Sequence, residues 1–294
     1  GGEGILKMLR RAFLFTAAAF CACSACLGYA VRDARGVEFE FSGPPRAATI
    51  VPAITQNIFA AGAGKYLVAN SRYCDYPEEA KGKIKLGGYI DPDYEKILSV
   101  KPEIFLLPTT ADSRVERRLS KLGIKCFILN GEGLENISAD LRLLGRLFGT
   151  SETAEKAADS FDALLKSDSS AGRGRRAMFM FDKMAAGKGS FAGGLLAACG
   201  LENCADKTGR PWAEVGREFV LAARPDILFV ECGGEDSRAG LEKFYKTDPV
   251  WRTTPAVKNG MLCFVPSSSV LVPSVRLAEA LRIMRAFCAA TAEK

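Results

Sequence analysis

The chain of 294 residues is 48% apolar and 25% charged with 13 prolines, a globular composition that excludes wholesale disorder and gives length for one large domain or two lobes. The net charge of +6 falls to about +4 without Glu3, Lys7, Arg10 and Arg11, and with no basic run or recognition motif this field is too weak to imply nucleic acid. There is no histidine, which excludes Ser-His and Cys-His nucleophile pairs, a histidine general base and any imidazole-held metal.

The opening "KMLRRAFLFTAAAFCACSACLGYAV" has the layout of an export signal over residues 1–30: basic residues, a short apolar core at 12–20, then small residues and cysteines. Cys23 and Cys26, each following Ala, are candidate lipidation sites. Cleavage as a soluble signal near Ala25 or Ala30 and retention as an anchor both stay open, because the uncharged stretch runs from 12 to 31. Beyond the leader come cysteines 74, 126, 199, 204, 232, 263 and 288 in no CxxC spacing, which argues against a metal cluster. An oxidising compartment permits pairing, and the odd number leaves at least one thiol free.

After a polar lead, the pattern predicts a strand at 47–51, a helix near 53–61 and a strand at 66–69. The "AGAGK" between them lacks Ser or Thr after Lys65 and closes a helix, so it reads as a C-cap and turn and not as a phosphate loop. A Tyr, Gly and Pro-dense loop spans 70–92, and Asp91-Pro92 should open a helix that ends at Pro102. Strand "EIFLL", a helix at 112–122 and strand "IKCFIL" complete an α/β lobe over 45–133. Residues 134–170 carry helical spacing with a Gly149-Thr150 break and no strand, and are read as a long connecting backbone helix. A second alternation fills 171–294: strand 176–181, loop 182–190, helix 191–199, loop 203–216, helix 217–223, strand 226–230, helix 238–246, strand 261–265 and a closing helix at 275–290. The fold class is therefore α/β, with two Rossmann-like lobes, a helical connection and a cleft between the lobes.

One phrase is written twice. "EKILSVKPEIFLL" at 95–107 returns as "EFVLAARPDILFV" at 218–230, and the ungapped shift of 123 residues places Glu95 on Glu218, Pro102 on Pro225 and Tyr89 on Trp212. Two equivalent half-molecules facing each other would put one ring from each side into a shared cleft, a favoured place for a small molecule. Both rings stand in Gly/Pro-rich loops ("LGGYIDP", "GRPWAEV"), which weighs against plain core packing. The glutamates' first-turn positions are already explained by the helix dipole, worth about 0.3–1 kcal/mol.

These segments, with "TIVPAITQNIFAAGAGKYLVA", "YCDYPEEAK", "GSFAGGLLAACGLENCAD" and "VPSVRLAEALRIMRAFC" in order, resemble the periplasmic substrate-binding proteins of vitamin B12, ferric siderophore and haem ABC importers. The resemblance implies two lobes joined by a backbone helix with little hinge motion. It implies a chelate (ferric siderophore, cobalamin or haem) as transported ligand, no intrinsic cofactor, and an importer permease dimer with its cytoplasmic ATPase as partner. The location it implies is periplasmic, or lipid-anchored outside the cytoplasmic membrane. It assigns permease docking to Glu95 and Glu218, whose rim charges would steer encounter more than add affinity. Tyr73, Tyr89 and Trp212 match cleft-lining positions, as does the turn around Lys183, Met184 and Ala185, and Cys199 and Cys288 match a disulfide pair. Arg72 and Arg210 flank the expected cleft and could pair with an anionic chelate or propionate. Two features depart from the vitamin B12 members: Tyr89 stands where they have Trp, and "PSSSVLVPS" at 266–274 replaces their acidic and aromatic cleft loop.

Three other readings are kept. A haem-binding protein would hold iron through a Tyr phenolate. A histidine-free two-lobed enzyme would use Cys74 or one of Ser267–Ser269 as nucleophile with a Lys or carboxylate base. A surface receptor or scaffold would bind chelate without docking a permease.

Overall fold

The computed structural model of the chain describes residues 28–131, 133–167 and 169–292. The lipidation candidates Cys23 and Cys26 lie outside the described residues. Where the sequence reads as a polar lead, β1 (Tyr29–Arg32) and β2 (Glu38–Phe41) form an antiparallel hairpin. One face of it is aromatic: Phe39 meets Phe127 with ring centroids 5.2 Å apart, and the Tyr29 hydroxyl donates to Leu147 O at 2.5 Å. Alternation over so few residues is a weak signal, and the hairpin forms because the first sheet offers its inner face a core.

The first sheet is parallel, in the order β5-β4-β3-β6-β7, from β3 (Ala47–Thr49), β4 (Leu67–Asn70), β5 (Ile84–Lys85), β6 (Ile104–Pro108) and β7 (Lys125–Leu129). Every residue of β6 is buried. Ile104 and Leu106 feed one core, which continues into the second half of the chain, while Phe105 and Leu107 feed another confined to the first, as the two-residue period of a strand requires. The longer helices of this half are α1 (Pro52–Ala60), α2 (Tyr94–Val100) and α3 (Ser113–Lys121). The cap of α2 differs from the sequence expectation: Asp93, two residues after Asp91, accepts from Lys96 N at 3.0 Å. Asp91 pairs instead with Arg72.

The connecting backbone helix expected over 134–170, with its break at Gly149-Thr150, is a hairpin of two helices, α4 (Asn136–Phe148) and α5 (Ser151–Lys166). Gly149 takes a left-handed φ of 67° and stops α4. The arms run antiparallel, since Ser138 bonds Asp162 and Arg142 reaches Glu155, Asp159 and Asp162. They lie close because Gly145 faces Ala154, where an added Cβ would stand 2.5 Å from the alanine methyl.

The second sheet runs β11-β9-β8-β12-β13, with β10 (Glu202–Asn203) beside β8. Strands β8 (Arg176–Phe181), β12 (Ile227–Cys232) and β13 (Leu262–Pro266) are parallel, whereas β9 (Met184–Ala186) and β11 (Trp212–Glu214) are antiparallel additions. The segments read as loops at 182–190 and 203–216 thus each contain a short strand. Asp182, with φ 52°, makes the tight return from β8 to β9. Helices α6 (Phe191–Ala198), α7 (Arg217–Ala223), α8 (Glu235–Thr247) and α9 (Leu277–Ala290) complete this half.

The repeated phrase is a repeated structure. α2 and α7 occupy the same residues under the shift of 123 and end the same way, on a left-handed basic residue, Lys101 at φ 50° and Arg224 at φ 44°. Arg46 N donates to Glu103 Oε2 at 2.7 Å and Glu103 N to Arg46 O at 2.8 Å. Arg176 N donates to Asp226 Oδ2 at 2.9 Å and Asp226 N to Arg176 O at 2.8 Å. The acid after each proline is therefore a clasp that fixes the start of β6 and β12 against the first strand of its sheet.

Candidate functional site

Chain order in the first sheet reverses beside β3: the chain leaves for β4 and β5, then crosses to β6 and β7 on the other side. The carboxyl ends of β3 and β6 diverge there, and such a switch point leaves a crevice where α/β sheets take ligands. A cavity of about 340 Å³ occupies it. Residues 50–54, leading from β3 into α1, form one wall, and Pro108 and Thr110 after β6 form the next. Val51 gives α1 no side-chain cap, so the first-turn amides stay open toward this side. The remaining wall is supplied by residues 271–273, from the far end of the sequence.

Two side chains of α1 hold that distant strap in place. Ser274 Oγ donates to Gln56 Oε1, and Val275 N donates to Asn57 Oδ1 at 3.1 Å across 218 residues of sequence. Beside them the Arg276 guanidinium lies 4.1 Å from the centroid of the Tyr76 ring. Asp140 also lines the cavity, with Asn130 N, Asn130 Nδ2 and Gly131 N donating to it. Burial pushes its carboxyl above the usual range although these bonds pull the other way.

Of the seven ligand candidates Tyr73, Tyr89, Trp212, Arg72, Arg210, Lys183 and Met184, Tyr89 lines this cavity; its hydroxyl oxygen accepts from Asp112 N at 2.7 Å. The other six stand apart from the cavity wall. Trp212 is half-buried in an aromatic cluster, edge-on to Phe181 at 5.2 Å and near Phe191 at 5.3 Å. Tyr73 is exposed, with the Arg72 guanidinium 5.7 Å from its ring centroid. Arg210 and Lys183 are exposed, and Met184 is the half-buried first residue of β9.

Glu95 and Glu218 stand exposed in the first turns of α2 and α7, and neither carboxylate has an ion pair among the described residues. One turn on, Leu98 and Leu221 are 43% and 49% exposed. Spacing of three places each leucine on the face of its glutamate.

The seven cysteines from Cys74 onward are buried and unbonded. Cys199 and Cys288 are in contact, without the S–S bond that the resemblance implies: the Cys199 thiol is held protonated by donating to Cys288, whose own pKa that bond lowers. Cys74 lies 3.2 Å from Thr55 Oγ1, and burial raises its pKa, the reverse of what a nucleophile needs. Burial likewise pushes Cys126 and Cys204 to about 11 and Cys263 to about 12. Ser267 donates to Glu231 and Ser269 to Pro266 O. Among the described residues no cluster of cysteines and carboxylates is arranged to hold a metal ion.

Two sheets with their switch-point cavity and a strap closing it from the far half define a two-lobed solute-binding fold. The periplasmic binding protein family model matches residues 48–268, and the chain belongs to that family. It is 32% identical to a vitamin B12-binding protein of Salmonella choleraesuis over 194 residues, covering 63% of this chain and 72% of the relative. A vitamin B12-binding protein of Pectobacterium carotovorum is 28% identical over 212 residues, 69% of this chain and 76% of the relative. The fold matches the periplasmic vitamin B12 binding protein of Vibrio cholerae with a TM-score of 0.72 at 22% identity, over 85% of this chain and 99% of that one. A periplasmic haem-binding protein of Roseiflexus sp. RS-1 matches with a TM-score of 0.72 at 23% identity, over 85% of this chain and all of the other.

Proposed function

We propose that the protein is the solute-binding component of an ABC importer, which captures a metal chelate such as cobalamin or a ferric siderophore outside the cytoplasmic membrane and presents it to a permease. The observation that carries this reading is the cavity at the carboxyl ends of β3 and β6, closed by a strap from the other half of the chain. Its wall is mostly apolar with few polar groups, the usual make-up of a small-molecule site. Tyr89 is the ligand-facing ring of the first half, and Trp212 with the turn at Lys183 and Met184 forms the facing surface of the second. Tyr73, Arg72 and Arg210 line the outer approach. No residue is assigned a catalytic role.

Glu95 and Glu218 dock the loaded protein onto basic residues of the permease, helped by Leu98 and Leu221 beside them. The two acidic-apolar patches are equivalent under the internal repeat, which suits a partner made of two like subunits. Export is directed by the basic and apolar leader, with lipid attachment at Cys23 or Cys26, and among the described residues no helix is long and apolar enough to cross a membrane. Cys199 and Cys288 close to a disulfide in the oxidising compartment; thiol titration of unfolded protein should then count two fewer thiols before reduction than after.

The test titrates purified, leader-free protein with cyanocobalamin, haemin and several ferric siderophores while following tryptophan fluorescence. Saturable quenching by one of them is expected, and a flat response to all would defeat the capture reading. The Glu95→Ala/Glu218→Ala double variant should keep that binding while uptake in cells collapses. Undiminished uptake would remove the docking role alone.

A further inference from the structure

Asn57 is 5% exposed yet lines the cavity. Its amide orientation is fixed, because a backbone N–H can only donate: Val275 N must face Oδ1, and Nδ2 is the atom left over. Among the described residues Nδ2 has no hydrogen-bond partner. Nor is it sealed within protein, since among the described residues Thr150 Oγ1 is the fully buried side-chain polar atom without one. An unpartnered donor on a nearly buried side chain that lines a cavity is available to whatever fills that cavity. Tyr89 is half-buried between this cavity and an outer groove that Asp112 and Arg114 also line; its hydroxyl oxygen accepts from Asp112 N, and its hydrogen has no acceptor among the described residues.

The charges around these donors are as informative. No lysine or arginine lines the cavity, and the ionisable groups that do are Tyr89 and the buried Asp140. An anionic ligand group placed here would lose its water beside a carboxylate and with no lysine or arginine to pair with, only the open amides at the start of α1 offsetting that cost. An uncharged carbonyl oxygen meets no such penalty.

We infer that Asn57 is a specificity-determining residue whose Nδ2, with the Tyr89 hydroxyl, donates to an uncharged carbonyl oxygen of the ligand, so that the cavity selects amide- or hydroxamate-bearing chelates over carboxylate-bearing ones. The inference rests on the capture reading above. It adds a role for the strap: by holding Oδ1, Val275 aims the donor, so strap position and ligand choice are coupled.

Asn57→Asp separates the donor from the latch, since the carboxylate still accepts from Val275 N but offers the cavity no hydrogen. Cyanocobalamin and ferrichrome serve as uncharged, carbonyl-bearing probes, and haemin as the carboxylate-bearing one, all titrated against the full leader-free chain with Tm recorded for each variant. Wild-type protein should bind cyanocobalamin or ferrichrome more tightly than haemin. Asn57→Asp should weaken the preferred probe about ten- to a hundred-fold or more, as loss of a buried hydrogen bond implies, in a protein that still folds but with Tm lowered by the buried carboxylate. Asn57→Leu, which loses donor and latch together, should lower Tm and affinity both. Preference for haemin, or an affinity unchanged in Asn57→Asp, overturns the inference and leaves capture standing. Binding of none of the three probes overturns the inference, and the capture reading falls with it only if the wider siderophore panel is unbound as well.

Discussion

The two halves begin alike and then part. Each opens its sheet with an arginine clasped by the acid after a proline, each runs a seven-residue helix into that proline, and each ends the helix on a left-handed basic residue. The difference lies after the first strand. β3 turns at once into α1, whose start opens the cavity, whereas β8 folds back through Asp182 into β9. The corresponding place in the second half is filled by the packed rings of Phe181, Phe191 and Trp212. The repeat therefore specifies a scaffold, and the site arises where the repeat stops.

That comparison can be broken at three depths. The largest effect should come from the cores behind the two clasped strands. Ile104 on β6 and Ile227 on β12 are fully buried and coincide under the shift, so Ile104→Ala and Ile227→Ala should each cost about 2–5 kcal/mol in urea unfolding, as large-to-small core changes do. Costs that differ grossly would show that the two sheets are not equivalent in energy.

The clasps come next. Glu103→Ala and Asp226→Ala each remove the acceptor of a backbone N–H at the head of a strand, which should cost about 1 kcal/mol apiece. A loss in one half only would make the other clasp incidental. The smallest effect should have the opposite sign. Lys101→Gly and Arg224→Gly relieve left-handed backbone at equivalent turns and should each stabilise by roughly 0.5–1 kcal/mol. If either variant is less stable, the side chain at that turn outweighs its backbone strain.

Tyr89 was legible before any coordinates because a ring in a Gly/Pro-rich loop has no helical stripe to pack in. The loop read around Trp212 conceals β11, which sets the indole on two phenylalanines. Asn57 gave no signal at all. A polar residue on a short helix reads as solvent-facing, and what covers it is a strap more than two hundred residues away. Asp140 was hidden in the same way, as one acid among several in the 134–170 helical segment. The break at Gly149 was visible in the sequence, but the antiparallel return of α5 along α4 was not.

The sequence by itself determined the alternation of strands and helices, the doubling of the scaffold and the exclusion of imidazole chemistry, because these depend on local periodicity, on a register kept without gaps and on composition. Only the tertiary structure decided where the cavity lies, which wall the 271–273 strap supplies and which amide hydrogen is left open. Those depend on contacts between segments whose sequence separation carries no pattern, and on hydrogen bonds whose partners are chosen only when the segments meet.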